Sequence, residues 1–252
     1  MIFYRFTSDG RRKTVDLEDA YRGALILCGG HPSLADEPLE CLSRRGIVTM
    51  AMNNAALLFR PTMWTSADHP DCYSRAIFDD PAILKFARLL YSGDTVGDTG
   101  RLWRDWPSTL FYGVSDDLFT PATLLDRHPL FAWWKNVFLF SLQLAWRLGF
   151  REVYLAGVGF NFPSDRHYAF DMRLNPDEAE YNRRTYEMTA DQFLRCLPHF
   201  KERGFRIVSC TPGSVLNEVV PFMPLTSAVE RVLRDYPQET AGGVKHSSRF
   251  AS

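Results

Sequence analysis

The stretch ALILCGGHPSL, residues 24–34, decides how this chain is read. Five apolar residues end abruptly at Gly29-Gly30, and His31-Pro32-Ser33 leads out of the turn. An unbroken apolar run of this length suits a strand buried on both faces, as in a parallel sheet. The paired glycines permit a tight turn and let a ligand approach the backbone. A helix opening near Ser33 would aim free N–H groups at whatever lies over the turn, which favours an anion such as phosphate. An ordinary strand-to-loop turn reads the same way, because two adjacent glycines are not a specific motif.

Working outward, residues 38–45 have helical spacing, with Leu39 and Leu42 apolar, and stop at Gly46. IVTMAM, residues 47–52, is a second strand ending at Asn53-Asn54. Strand, helix and strand within about 30 residues match a βαβ unit. Residues 63–67 read as a third strand, closed by Asp68-His69-Pro70. Ser33, Asn53 and Asp68 therefore terminate three successive strands, and in open α/β sheets the ligand crevice lies at such carboxyl ends. Upstream, residues 1–22 read as a polar leader with a short strand at 2–6.

The middle, 71–132, is expected to be an irregular insertion, interrupted by prolines and glycines and carrying Trp103, Trp106, Phe111, Tyr112, Phe119 and Phe131. Within it, 83–90 reads as a helix running into a strand. Such segments serve as lids or acceptor faces, or as a small secondary core. NVFLFSLQLAWRL, 136–148, is an apolar helix stopped by Gly149, and EVYLAG, 152–157, a buried strand after it. A polar loop over 160–171 leads to a long helix at 178–203, closed by Gly204. Then come a strand at 206–210, the loop Thr211-Pro212-Gly213-Ser214 and a short helix. The tail from about 236 is polar and rich in small residues, the composition of a disordered segment. Alternating strands and helices predict a single α/β domain over 1–235, Rossmann-like, with a mostly parallel sheet flanked by helices.

Bulk composition narrows the class. The 252 residues are 46% hydrophobic and 23% charged, ordinary for a globular domain, with a net charge of −1. That balance argues against bulk attraction to nucleic acid or anionic membrane. Five cysteines without CxxC pairs or zinc-ligand spacing read as free thiols in a cytoplasmic protein. The N-terminus lacks the pattern of a secretory signal, and no apolar run approaches the roughly 20 residues needed to span a bilayer.

Chemistry is expected in two places. Gly29, Gly30 and Ser33 with Asn53 and Asp68 form a candidate nucleotide site, in which backbone N–H groups suit phosphate and the Asn and Asp suit ribose or a base edge. Neither GxGxxG nor GxxxxGK[ST] occurs, which weakens dehydrogenase and ATPase readings. The second place is the loop holding His167, Tyr168 and Asp171. Tyr168 suits donation to a leaving phosphate and His167 acid–base work, while Asp171 suits that work or a pairing with Arg173. No GxSxG elbow and no HExxH is present, so a hydrolase triad and a metal site are both disfavoured. Arg183-Arg184, with Lys201 and Arg203, read as the exposed face of a helix.

Three blocks of sequence carry a family likeness. They are LILCGGHPSL; LAWRLGFREVYLAGVGFNF with SDRHYAFD; and FRIVSCTPGSVLNEVVP. In that order they resemble the bacterial sialyltransferases of glycosyltransferase family 42, and the related proteins that include archaeal 6-hydroxymethylpterin diphosphokinase. The family's counterparts are G-N-G-P-S-L, then L-G-[FY]-[KR]-E-I-Y-L-x-G-[IV]-D-F with S-Y-A-F-D, then C-P-N-S-L-L. The resemblance implies a modified Rossmann-like fold binding a nucleotide-activated donor without a metal. It assigns the glycine loop to Gly29, Gly30 and Ser33, the strand-end asparagine to Asn53 and the next polar strand end to Asp68. Tyr168 matches a tyrosine that assists phosphate departure, and Ser214 lies in the loop closing over the nucleotide. Asn136, at the head of the apolar helix, joins the donor-binding candidates. Four departures stand out. Gly30-His31 replaces Asn-Gly, Gly159 stands where the family has Asp, Asn161 or Phe162 falls at a second leaving-group tyrosine, and 182–186 lacks the catalytic histidine.

The expectation is therefore a glycosyltransferase-like transferase with a nucleotide-sugar donor and no required cofactor. Its acceptor is a glycan, a lipid-linked sugar or a modified base, and a homo-oligomer is compatible with the composition. A magnesium-dependent diphosphokinase of the pterin branch and a non-catalytic binding protein with a decayed site are the alternatives.

Overall fold

Residues 24–28 are buried without exception, and their side chains alternate between two cores. Leu25 and Leu27 face one hydrophobic layer, Ala24, Ile26 and Cys28 the other, as expected of a strand covered on both sides. The computed structural model describes residues 2–118, 120–162 and 166–237. Along the chain run β1 (Ile2–Phe6), β2 (Arg12–Asp16), β3 (Ala24–Cys28), β4 (Thr49–Met52), β5 (Met63–Thr65), α1 (Arg75–Asp79), β6 (Leu84–Arg88) and β7 (Thr109–Tyr112). There follow β8 (Val114–Ser115), β9 (Phe131–Ala132), α2 (Val137–Leu148), β10 (Glu152–Ala156), α3 (Pro176–Glu202), β11 (Arg206–Ser209) and α4 (Leu225–Asp235).

Nine strands form one sheet in the order β11-β10-β3-β4-β5-β6-β7-β1-β2. The seven from β11 to β7 pair in parallel; β1 and β2 add an antiparallel edge. The fold is thus α/β with a mostly parallel central sheet flanked by helices. From β3 the chain steps outward one way through β4, β5, β6 and β7, then returns to lay β10 and β11 on β3's other side. The strand order reverses between β3 and β10, and such a switch point is where open α/β sheets hold ligands, beyond the carboxyl ends. In register, Leu25 pairs with Val153 and Cys28 with Ala156.

Several elements differ from expectation. The helix expected at 38–45 is a short 3₁₀ turn, Leu39–Ser43, which Pro38 separates from another at Pro32–Asp36. Residues 83–90 hold no α-helix: Leu84–Arg88 is a strand, with Lys85, Phe86 and Ala87 buried, and a 3₁₀ turn follows at Leu89–Tyr91. Segment 71–132 supplies β6 and β7 to the central sheet and so is more than an irregular insertion. Its Trp103, Trp106 and Phe111 pack in one core and Tyr112 and Phe131 in the other. Phe119 and the tail from residue 238 lie outside the described residues. The long helices stand where expected: Asn136 and Asn175 cap the starts of α2 and α3, and Gly149 ends α2. Among the described residues, no helix is long and apolar enough to cross a membrane.

Candidate functional site

At the switch point the ends of β3 and β10 press together. Gly29 N–H donates to Ala156 O at 2.8 Å and His31 N–H to Gly157 O at 2.9 Å. A Cβ on Gly29 would lie 2.5 Å from Gly157 O, and one on Gly157 2.7 Å from Gly29 O. Gly157 also has φ +63°, a left-handed conformation that side chains disfavour. These glycines therefore serve strand-to-strand approach. Beyond them, His31 caps the first 3₁₀ turn: its Nδ1 accepts from Ser33 N–H at 3.3 Å and meets Ser33 Oγ at 2.9 Å. Leu34 N–H donates to His31 O. The open helix N-terminus expected at Ser33 is thus already closed by a side chain. Of the N–H groups of residues 29, 30, 31, 33 and 34, only that of Gly30 has no acceptor among the described residues.

His31 is buried, and burial pulls its pKa down against a smaller opposing effect of Asn161. A neutral ring accepting at Nδ1 carries its proton on Nε2. The ring occupies the space a side chain at 159 would fill, since a Cβ there would lie 2.2 Å from His31 Cδ2 and 2.6 Å from Asn161 Oδ1. The two sequence departures, His31 and Gly159, are one steric exchange.

Tyr168 lies over the same turn. Ala169 N–H donates to Gly30 O at 2.9 Å, and a Cβ on Gly30 would meet the Tyr168 ring at 3.2 Å. Phe170 stacks on Tyr168 at 5.1 Å, and Arg166 fastens the loop by donating to the carbonyls of Tyr168 and Ala169. The Tyr168 hydroxyl accepts from Asn182 Nδ2 at 3.0 Å, and the Tyr186 hydroxyl lies beside it. Burial raises the Tyr168 pKa; hydrogen bonding with Tyr186 and Asn182 opposes this without reversing it. Tyr168 at neutral pH is therefore a protonated phenol that accepts from Asn182 and can itself donate. Asn182 and Tyr186 come from the first turns of α3, in the very window where no histidine occurs.

His167 is half-buried, edge-on to Phe162 at 4.9 Å, and Phe162 also packs on Tyr186. Asp171 is exposed and forms no ion pair with Arg173. Residues 163–165 of this loop lie outside the described residues.

Two strands along, Asn53 and Asp68 are joined by a residue that sequence reasoning missed. The Tyr73 hydroxyl lies 3.2 Å from both Asn53 Oδ1 and Asp68 Oδ2, and accepts from Asp68 N–H at 3.3 Å. Burial, and then the Asp68 charge, hold the Tyr73 pKa well above the phenol range, so it remains a donor. Asn53 has φ +51°, and its carbonyl accepts from the buried Trp64 indole at 2.7 Å. Asn tolerates that conformation better than most residues, which accounts for Asn at this strand end.

Two predicted site residues are absorbed by the scaffold. Asn136 Oδ1 caps α2 at Leu139 N–H, and its Nδ2 donates to Trp134 O and Gln192 Oε1. Ser214 is buried; its Oγ donates to Val158 O at 2.8 Å and accepts from Leu216 N–H, latching the loop after β11 onto the loop after β10. Arg183 and Arg184 both pair with Glu180 on the exposed face of α3, as read from the sequence. Among the described residues, no three His, Cys, Asp or Glu side chains are gathered so as to hold a metal ion.

No family model and no curated protein matches the sequence. Among solved structures the chain is similar to the sialyltransferase CstII from Campylobacter jejuni in complex with the substrate analogue cytidine-5'-monophosphate. The identity is 14% and the TM-score 0.45, over 80% of this chain and 85% of that one. The CstII complex with CMP-3FNeuAc matches at 13% identity and TM-score 0.42, over 80% and 86% of the two chains. The complex with a trisaccharide acceptor and CMP matches at 16% and 0.43, over 80% and 86%.

Proposed function

We propose that this protein is a metal-independent, glycosyltransferase-like transferase that takes a nucleotide-activated donor at the carboxyl edge of its sheet. One observation carries the reading. A protonated phenol that accepts from Asn182 lies over the one turn N–H, that of Gly30, left without an acceptor among the described residues, at the topological switch point. Tyr168 and Gly30 N–H would meet the donor phosphate, and Asn53 and Asp68, tied by Tyr73, would hold the nucleoside. As the donor carbon–oxygen bond breaks, the electron pair stays on the phosphate oxygen, and Tyr168 donates its hydrogen there. The acceptor hydroxyl forms the new bond to that carbon and gives its proton to His167, or to Asp171. The phenol keeps its proton and stabilises the leaving-group charge as a hydrogen-bond donor, so the scheme asks for no divalent ion.

Thermal unfolding with CMP-, UDP- and GDP-sugars tests this. A binding partner at 100 times its Kd stabilises by about 2.7 kcal/mol, which is readily seen in Tm. Stabilisation by one nucleotide class without magnesium is expected. No response to any of them at millimolar concentration would refute the reading, and a response only with magnesium would favour diphosphokinase chemistry.

A further inference from the structure

The cap that closes the β3 turn also pairs a hydroxyl with an imidazole. Ser33 Oγ, half-buried and so within reach of solvent, lies 2.9 Å from His31 Nδ1. The opposite ring atom, Nε2, is buried with no other partner among the described residues, and so is Asn161 Oδ1. The two flank the position of a Cβ on Gly159, at 2.5 Å and 2.6 Å, and Asn161 acts on the ring as a hydrogen-bonding neighbour. Asn161 Nδ2 donates to Gly213 O at 3.1 Å, which turns the amide oxygen towards the ring. A hydroxyl at one ring nitrogen and an amide oxygen at the other is the order nucleophile, base, orienter. Burial keeps the ring neutral, the state in which Nδ1 takes a proton. The turn alone does not produce this set. His69-Pro70-Asp71 makes the same cap, with His69 Nδ1 accepting from Asp71 N–H at 3.4 Å, but sets a carboxylate there and leaves Nε2 3.5 Å from Asp94.

We propose that Ser33, His31 and Asn161 make this sheet edge an acyl-transfer site that hydrolyses a small carboxylic ester. Ser33 Oγ bonds to the carbonyl carbon, and its proton passes to His31 Nδ1. The carbonyl electron pair moves onto oxygen, towards the Gly30 N–H of the same turn, which has no acceptor among the described residues. The pair returns as the bond to the alcohol oxygen breaks, and the departing alkoxide takes the proton from His31. Water repeats the sequence on the acyl-serine, which releases the acid and restores Ser33. Asn161 is a positioning residue, accepting from Nε2–H as the ring becomes charged. This activity goes beyond the nucleotide chemistry and does not rest on it.

Labelling of the full chain by a fluorophosphonate tests this, because attack by Oγ on phosphorus displaces fluoride and leaves a stable adduct. One adduct is expected, on Ser33 by peptide mass, formed at least about 100-fold faster than on the chain unfolded in urea. Ser33→Ala, whose backbone N–H still reaches His31, should fold with a Tm close to the native one and take no label. His31→Gln should slow labelling by at least about 100-fold. Asn161→Ala should slow it by about tenfold or more, and Asn161→Asp, which keeps an acceptor for Nε2–H, should restore the rate even where its Tm stays low. Rate and Tm moving together in both variants would make Asn161 scaffold and remove it from the site. Turnover of p-nitrophenyl acetate should disappear in Ser33→Ala; turnover unchanged there would sink the ester reading. Labelling no faster than in the unfolded chain, an adduct only elsewhere, or a rate indifferent to His31→Gln would overturn the proposal.

Discussion

Replacing Gly159 by Ala should destabilise this protein because of two neighbours, the side chains of His31 and Asn161. The added Cβ would lie 2.2 Å from His31 Cδ2 and 2.5 Å from Nε2, within contact limits that real side chains do not cross. Gly159 is outside the left-handed region, so backbone strain adds nothing, and the loss of unfolded-state freedom would by itself favour Ala by about 0.4–1 kcal/mol. Overpacking of a close-packed site costs about 1–3 kcal/mol. The net expectation is a loss of about 1–2 kcal/mol, or roughly 2–8 °C in Tm for a chain of this size. His31→Ala alone forfeits the cap on Ser33 N–H, about 1 kcal/mol, plus ring packing. In that background the clash with the ring is gone and only the Asn161 contact remains, so Gly159→Ala should cost clearly less. Urea unfolding of the four proteins reads the coupling, expected to be at least about 1 kcal/mol. Losses that add to within about 0.5 kcal/mol would refute the claim that His31 and Gly159 are one exchange.

Three further outcomes are expected. Tyr168→Phe keeps the ring over Gly30 but removes the donated hydrogen, so turnover should fall about 100- to 1000-fold with donor affinity changed much less; a mutant within threefold of the native rate would exclude the leaving-group role. Tyr73→Phe strands the polar atoms it serves on Asn53 and Asp68, costing about 1–3 kcal/mol by chemical denaturation and weakening nucleotide affinity in parallel; unchanged stability would show the bridge to be idle. Lys85, fully buried with Nζ on the carbonyls of Asp80, Ile83 and Pro107, has its pKa pulled by burial from 10.5 to about 8. Above that folded pKa the unfolded chain binds the extra proton, so this group's contribution to stability rises between about pH 8 and 10.5, by on the order of 3 kcal/mol in full. The stability difference between the native chain and Lys85→Met, followed from pH 7.5 to 10, should rise with pH; a flat difference would show Lys85 charged throughout.

Much of the frame was legible in order of residues alone. The run at 24–28, the helix with Asn136 and Gly149 at its ends, and the strand at 152–156 announce themselves because burial on both faces demands unbroken apolar stretches and helix ends demand caps. Strand ends at Asn53 and Asp68 could be aligned for the same reason. What local pattern could not show is which helix-like runs become strands. Leu84–Arg88 carries Lys85 and Arg88 in an apolar frame, and only the buried carbonyl cage around Lys85 makes a strand there tolerable.

Tertiary structure alone decided the site's working details, since they depend on residues far apart in sequence arriving at one point. Asn182 donates to Tyr168 from a different element, and Tyr73 ties Asn53 to Asp68. Asn136 and Ser214, polar residues that read as ligand contacts, spend their hydrogen bonds on the scaffold. ALILCGGHPSL by itself determined a buried strand and a glycine turn beside a ligand edge. That the turn keeps only one free N–H, and that His31 fills the place of a side chain at 159, follows from β10 lying against it. A hydrogen-bonding group's partners are set by packing in three dimensions, which no local pattern encodes.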